Sequence, residues 1–323
     1  MSGLVMALVF SGCAARSQNP DAIQTASQPV RVLALKGPTG VGMVHLMHDH
    51  PDHGGEYEYT ITDSPDAAVA KLISKEVDLA AVPTNLAAVL SAKTAGGVQM
   101  LAVNTLGVLY IVSRDQSVHR LTDLKGKTVH ATGQGSNPEY VLRHLLDRAG
   151  LDPDRDVKIV FDAEHAELAT KVADGSVDIA LLPEPFVTMV TGKDPTVTVA
   201  IDLTAEWNAS VSDGSQLMMG ALIGRTDYVA AHPALVEAFL QQYRASVQEA
   251  TADVPATAVL CQSHGIIASA ALAEKAIPRL NLVFLTGRPM RTGLTGYYRI
   301  LYDANPQSVG GAIPDATFFY GAD

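Results

Sequence analysis

At 323 residues the chain exceeds one ordinary hydrophobic core, so two domains are expected. Its 34 acidic against 23 basic residues leave a net charge of −11, which argues against a nucleic-acid partner, since phosphate binding needs concentrated Lys and Arg. No apolar run reaches the ~18–20 residues that span a bilayer, and the 47% apolar, 6% aromatic composition is that of a globular chain with an Ala- and Val-rich core.

The chain opens on "LVMALVFSGC", an apolar run closed by small residues. Phe10-Ser11-Gly12-Cys13 resembles the lipobox of bacterial lipoprotein signals, in which the signal, here 1–13, is cut and the cysteine lipidated. No Lys or Arg precedes the run, which a misassigned start codon would explain. Lipidation of Cys13 leaves Cys261, in "TAVLCQSHG", without a disulfide partner and best read as a small buried residue. Residues 14–28 are small and polar, a flexible tether.

The folded part starts at Val30–Leu35, a β-branched run that fits a buried parallel strand. Gly37-Pro38-Thr39-Gly40 breaks it, and Val41 to Met47 has helical apolar spacing. A strand "EYEYTIT", a helix "SPDAAVAKLISKE" with Ser64 as N-cap and Pro65 at N1, and a buried strand "VDLAAVP" follow. Another helix starts near Thr84 or Asn85, and "VQMLAVNT" and "GVLYIVSR" are further strands. Then the pattern recurs: strand Thr128–Thr132, glycine loop "GQGSNP", a helix from Pro138, strand "VKIVFDAEH", helix "AELATKVADG" and buried strand "VDIALLP". Val77, Asp78, Ala80 and Pro83 return as Val177, Asp178, Ala180 and Pro183, each 100 residues on. Two copies of one α/β unit are expected, each "VD…P" strand aimed at the carboxyl edge of its own sheet, where open α/β sheets bind ligands. After "SQLMMGALIGR" the chain turns helical and is expected to pack back on the first unit.

The loop "LKGPTGVGM", the linker "DLKGKTV", the "LLPEPF" loop and the helix "HPALVEAFLQQYRASV", in this order, resemble substrate-binding proteins of the nitrate/sulfonate/thiamine-precursor group of ABC importers. The resemblance implies a two-lobe periplasmic-binding-protein type II fold with two hinge crossovers, lobe 1 being 29–112 plus 218–323 and lobe 2 113–217. It also implies a lipid-anchored, extracytoplasmic monomer without a cofactor that passes a small ligand to a permease and ATPase. Sequence motifs of enzymes are missing: no P-loop, G-x-S-x-G, H-E-x-x-H or paired-Cys metal site. The enzyme alternative on this fold is a menaquinone-pathway chorismate dehydratase; a yeast-type pyrimidine synthase would need a cysteine-rich motif that is absent.

Candidate ligand residues lie at the strand ends. In the first loop these are Lys36, Pro38, Thr39 and Gly40, with the N–H groups of Thr39 and Gly40 expected as donors. Gly133, Gly135, Ser136 and Asn137 form the corresponding loop of the second unit. Thr84, Asn85 and Glu184 follow the repeated prolines, and Glu184 is expected to accept hydrogen bonds from the ligand. Asn104, Thr105, His165, Ser215 and Gln216 are further cleft walls, while the single tryptophan, Trp207, reads as a surface-loop anchor. A carboxylate at 184 favours a ligand with donors and acceptors, a thiamine-type pyrimidine or an amino-sulfonate, over a bare dianion. His45, His48, His50 and His53 are weak metal candidates, His45 and His48 lying one helical turn apart.

Overall fold

A computed structural model describes residues 28–52 and 55–322. The expected lipobox, the tether up to residue 27 and His53 lie outside the described residues. The first unit runs β1 (Val30–Leu35), α1 (Pro38–Val41), α2 (Val44–Asp49), β2 (Tyr57–Thr62), α3 (Pro65–Ile73), β3 (Leu79–Pro83), α4 (Thr84–Lys93) and β4 (Val98–Thr105). The second runs β5 (Leu109–Ser113), β6 (Thr128–Ala131), α5 (Asn137–Arg148), β7 (Lys158–Phe161), α6 (His165–Ala173), β8 (Ile179–Pro183), α7 (Phe186–Lys193), β9 (Thr198–Asp202) and α8 (Leu203–Ser210). The return adds β10 (Gly220–Arg225), α9 (Thr226–Ala231), α10 (Pro233–Ala252), α11 (Val254–Ser263), α12 (Ala270–Ala276), β11 (Leu282–Leu285) and α13 (Gly287–Ala304).

Two sheets result, ordered β11-β4-β10-β3-β1-β2 and β7-β6-β8-β5-β9. In each, three strands run parallel and the next one is antiparallel: β10 beside β3, β5 beside β8. Both inserted strands arrive from the other lobe. The 100-residue repeat is structural, since α3 and α6, and β3 and β8, begin and end at matching positions. β3 and β8 are buried along four of five residues, which is why both read as continuous apolar runs.

One expected boundary moves. The motif order places residues 109–112 in lobe 1, but β5 pairs with β8 and β9 of the second sheet. The crossover is therefore Leu106-Gly107-Val108; a run that is apolar on both faces suits either sheet, and only its pairing decides. The helical tail also divides. α10, α11 and α12 cover one face of the first sheet, with Phe239, Tyr243 and Cys261 against Val32, Ala34 and Leu79. α13 instead joins a core cluster that contains residues of both sheets. Its Tyr297 meets the ring of Trp207 at 5.4 Å, and Trp207 is fully buried rather than on a surface loop. The ring is buried because α8 packs on α5 and α13.

The repeated aspartate has two fates. Asp78 is buried and binds the guanidinium of Arg31 at 2.7 Å and that of Arg225 at 3.1 Å, while the Arg225 N–H donates to its carbonyl at 3.0 Å. One carboxylate thus ties β1, β3 and the returning β10. In the second lobe Arg114, at the end of β5, makes the same backbone bond to Asp178 at 2.9 Å, yet its side chain bonds Asp194 at 2.5 Å and Asp178 stays exposed. Asp78→Ala, which removes the buried carboxylate shared by Arg31 and Arg225 while Asp227 still lies 3.4 Å from Arg225, should lower unfolding stability by about 1–3 kcal/mol. Asp178→Ala should leave the denaturant midpoint nearly unmoved, and equal effects from the two would show that burial does not separate their roles.

Candidate functional site

The carboxyl ends of β1, β3 and β4 and the start of β10 form one edge. Gly220 sits level with Pro83 and Thr105. A Cβ there would lie 2.6 Å from Thr39 Cγ2 and 2.9 Å from Thr105 Cβ, and would overlap Asn104 Oδ1, so only glycine permits this convergence. Much of the polar surface at this edge holds the edge itself together. Asn104 donates to the Thr39 carbonyl at 3.3 Å and to the Tyr243 hydroxyl at 3.0 Å, and accepts from the Thr105 hydroxyl at 3.1 Å. The Thr84 hydroxyl donates to the Met218 carbonyl at 2.6 Å, and the Thr84 carbonyl accepts from Tyr298 at 2.8 Å. Thr84, Asn104 and Thr105 are buried; Thr39 and Pro38 are half-buried and Asn85 retains a sliver of surface.

The first loop differs from expectation. Gly37, at φ +87°, starts the turn early, so α1 begins at Pro38 and lasts one turn. The N–H of Gly40 donates to the Gly37 carbonyl at 3.0 Å and cannot serve a ligand. Lys36 is exposed, with its ammonium 3.7 Å from Asp63.

Across the seam lie the end of β6 and the loop into α5. Ser136 donates to the Gly133 carbonyl at 2.7 Å instead of capping the helix, and α5 has no side-chain cap. The Gly135 N–H is taken by Glu139 at 2.7 Å, whose other oxygen accepts from Arg143 at 2.8 Å. Asn137, in the first turn, is 3% exposed, and neither atom of its amide finds a partner among the described residues. Tyr140 lies one turn on, on the same face of α5, and accepts from Asn305, just beyond α13, at 3.0 Å. The first turn of α5 is therefore at the contact between the lobes.

His165 begins α6 rather than ending a strand, because β7 stops at Phe161. Its Nδ1 lies 2.5 Å from the Thr132 hydroxyl and its ring 5.5 Å from that of Phe186; burial pushes its pKa down to about 4. Glu184 is not a solvated loop carboxylate. The chain enters α7 directly after Pro185, and the buried Glu184 accepts from the N–H and hydroxyl of Thr188, both at 3.0 Å. Arg279, from the turn after α12, approaches it to 3.5 Å. Burial raises the Glu184 pKa, and Thr188 and Arg279 oppose that rise.

Ser215 and Gln216 lie on the second crossover, between α8 and β10. Ser215 is buried where α13 has Gly296, whose absent Cβ would lie 2.5 Å from that of Ser215; Gln216 is exposed. The histidine run is dispersed. His45 is buried with Nε2 2.7 Å from the Thr257 hydroxyl, His48 is exposed, and His50 lies 3.5 Å from Glu56. Among the described residues no three His, Cys, Asp or Glu converge to hold a metal. Arg279, Tyr140 and Gly220 had no local signal in the sequence, because each matters through a strand or helix distant along the chain.

Residues 51–258 match the family of periplasmic substrate-binding proteins of phosphonate ABC transporters. The chain belongs to this family. The matched description names phosphonate, not the nitrate/sulfonate/thiamine-precursor group expected from the motifs. A crystal structure of an ABC transporter from Parabacteroides distasonis superposes with a TM-score of 0.77 at 26% identity, covering 90% of this chain and 98% of that one. The periplasmic aliphatic sulphonate binding protein SsuA from Escherichia coli gives 0.70 at 15% identity over 90% and 95%, which speaks for the two-lobe fold alone. Binding protein YtlA of Bacillus subtilis is 24% identical over 137 residues, 42% of this chain, and the match spans only 41% of that relative. Among the described residues no helix is long and apolar enough to cross a membrane.

The half-buried His165 has a pH signature. Its folded pKa lies below the ordinary 6.5, so the stability it contributes is fully present above pH 6.5 and is lost as the pH falls towards about 4. His165→Gln should flatten the melting-temperature profile across that window. A profile with the same slope as the parent would mean that His165 is hydrated in solution.

Proposed function

We propose that this protein is the extracytoplasmic solute-binding component of an ABC importer, and that it captures a small organic oxyanion, a phosphonate or sulfonate, between the two sheet edges. Closure of the lobes about the two crossovers would present the loaded protein to a permease and ATPase. The carrying observation is Asn137: a buried amide with an unused donor and acceptor, on an uncapped helix N-terminus, at the contact between lobes. A buried polar group left unpaired costs roughly 1–3 kcal/mol, so a ligand that pairs it recovers that cost. The uncapped turn adds the partial positive charge of a helix N-terminus.

The commitment of Glu184 to Thr188 and Arg279 changes the ligand chemistry inferred from sequence. Its negative charge is offset by Arg279, so the objection to an anionic ligand weakens and the preference for a thiamine-type pyrimidine loses its basis. Glu139 is the remaining carboxylate near this helix end, and Arg143 offsets it. A binding role rather than a dehydratase on the same fold agrees with a family made of transporter components.

Calorimetry against alkylphosphonates, alkanesulfonates and a hydroxymethylpyrimidine tests the assignment. An oxyanion should bind and lower the radius of gyration in solution scattering. Asn137→Ala should weaken it tenfold or more without lowering the melting temperature of the free protein, because no bond is lost there. Binding of the pyrimidine alone, or unchanged affinity in the variant, would refute the reading.

We further propose that Cys13 carries the lipid anchor, on the strength of "FSGC" after its apolar run. Full-length protein expressed in a bacterial host should partition into detergent, and Cys13→Ser should move it to the aqueous phase; equal partitioning would remove the anchor.

A further inference from the structure

A second polar concavity lies away from the sheet edges, between the second crossover and the outer face of α13. This open groove has a volume of about 560 Å³ and is lined by Arg288, Arg291, Thr292, Thr295 and Arg299 of α13 and by Asp213 of the crossover. Residues 288, 292, 295 and 299 are spaced four, three and four apart, which places them in one stripe along the helix. The opposite stripe, Met290, Leu294, Tyr297 and Leu301, is buried, so packing fixes the arginine face outward.

The charge here is the reverse of the whole chain. In a protein of net charge −11, three guanidiniums line one groove, and among the described residues a single carboxylate, that of Asp213, lines it with them. Arg31, Arg114, Arg143 and Arg225 are each committed to an aspartate or glutamate within the fold. The groove arginines, among the described residues, meet no carboxylate within 4 Å; Arg291 donates only to the Ala322 carbonyl, at 3.3 Å. Guanidinium is the side chain best suited to bidentate recognition of phosphate oxygens. No aromatic ring is among the lining residues, so the groove offers nothing for a base or sugar ring to stack on. From Arg288 to Arg299 the helix rises about 16 Å, more than a single phosphate spans. Three positive charges against one negative, among the described residues, attract a multiply charged anion more strongly than a monoanion.

We propose that this groove binds a soluble, multiply charged oxyanion of the oligophosphate class, held by Arg288, Arg291 and Arg299. Asp213 lies on the connection between the lobes, so the occupant touches the hinge and not the cleft.

Titration calorimetry with tripolyphosphate, and with orthophosphate for comparison, tests this on the full chain. Tripolyphosphate should bind more tightly than orthophosphate, and less tightly at 300 mM than at 50 mM salt. The double variant Arg288→Gln, Arg299→Gln keeps the Arg291 bond to Ala322 and should weaken tripolyphosphate at least tenfold with an unchanged melting temperature. Asn137→Ala, in the cleft, should bind tripolyphosphate as the parent does. Absence of binding at millimolar tripolyphosphate, equal affinity in the double variant, or loss in Asn137→Ala would each overturn the proposal. Sedimentation with phosphatidylglycerol vesicles, without tripolyphosphate binding, would overturn it in favour of a lipid surface.

Discussion

Each lobe is completed by a strand that the other lobe sends to it. β5 enters the second sheet against β8, and β10 enters the first against β3. Both run antiparallel to their neighbours, so both place their first residues at the carboxyl edge of the parallel strands. That constraint brings the two crossovers and both strand edges to the same seam. It also accounts for the close convergence at Gly220, where the returning chain must pass under Thr39, Asn104 and Thr105. Asp78 closes the opposite end of the same arrangement by holding β1, β3 and β10 with one carboxylate.

The polar groups of the seam then fall into two kinds. Thr84, Asn104, Ser136 and Glu184 satisfy the backbone and side chains around them, and their bonds fix the shape of the edges. Asn137 is different in being buried without satisfaction. Burial with pairing contributes order; burial without it leaves a demand that a partner from outside can meet. Arg279 stands between the kinds, since it offsets Glu184 while its side chain stays about half exposed, at 47%.

Much of the fold could be read from residue order. β3 and β8 announce themselves as apolar runs closed by proline, and the 100-residue offset of "VD…P" exposed the duplicated unit. Strand pairing was less legible. Nothing in "GVLYIVSR" says which sheet it joins, because an all-buried strand suits either. The site was legible in position more than in role. The segments at 36–40 and 133–137 do follow β1 and β6, but a sequence does not show whether a polar group is already spent. Gly40 donates within its own turn, and Glu184 caps its own helix, as local backbone geometry dictates. Tyr140 and Arg279 became visible only when distant segments came together.

The place of Trp207 gives this architecture an optical property. It is the single tryptophan of the chain, wedged between His144 of the second lobe and Tyr297 of α13, with ring centroids at 5.3 and 5.4 Å. Its indole N–H has no partner among the described residues. Any sliding of the lobes about their crossovers changes the polarity around that one ring. A single native fluorophore thus sits where α8 meets α13, undiluted by other indoles, and its emission wavelength would report a change in that contact without a label.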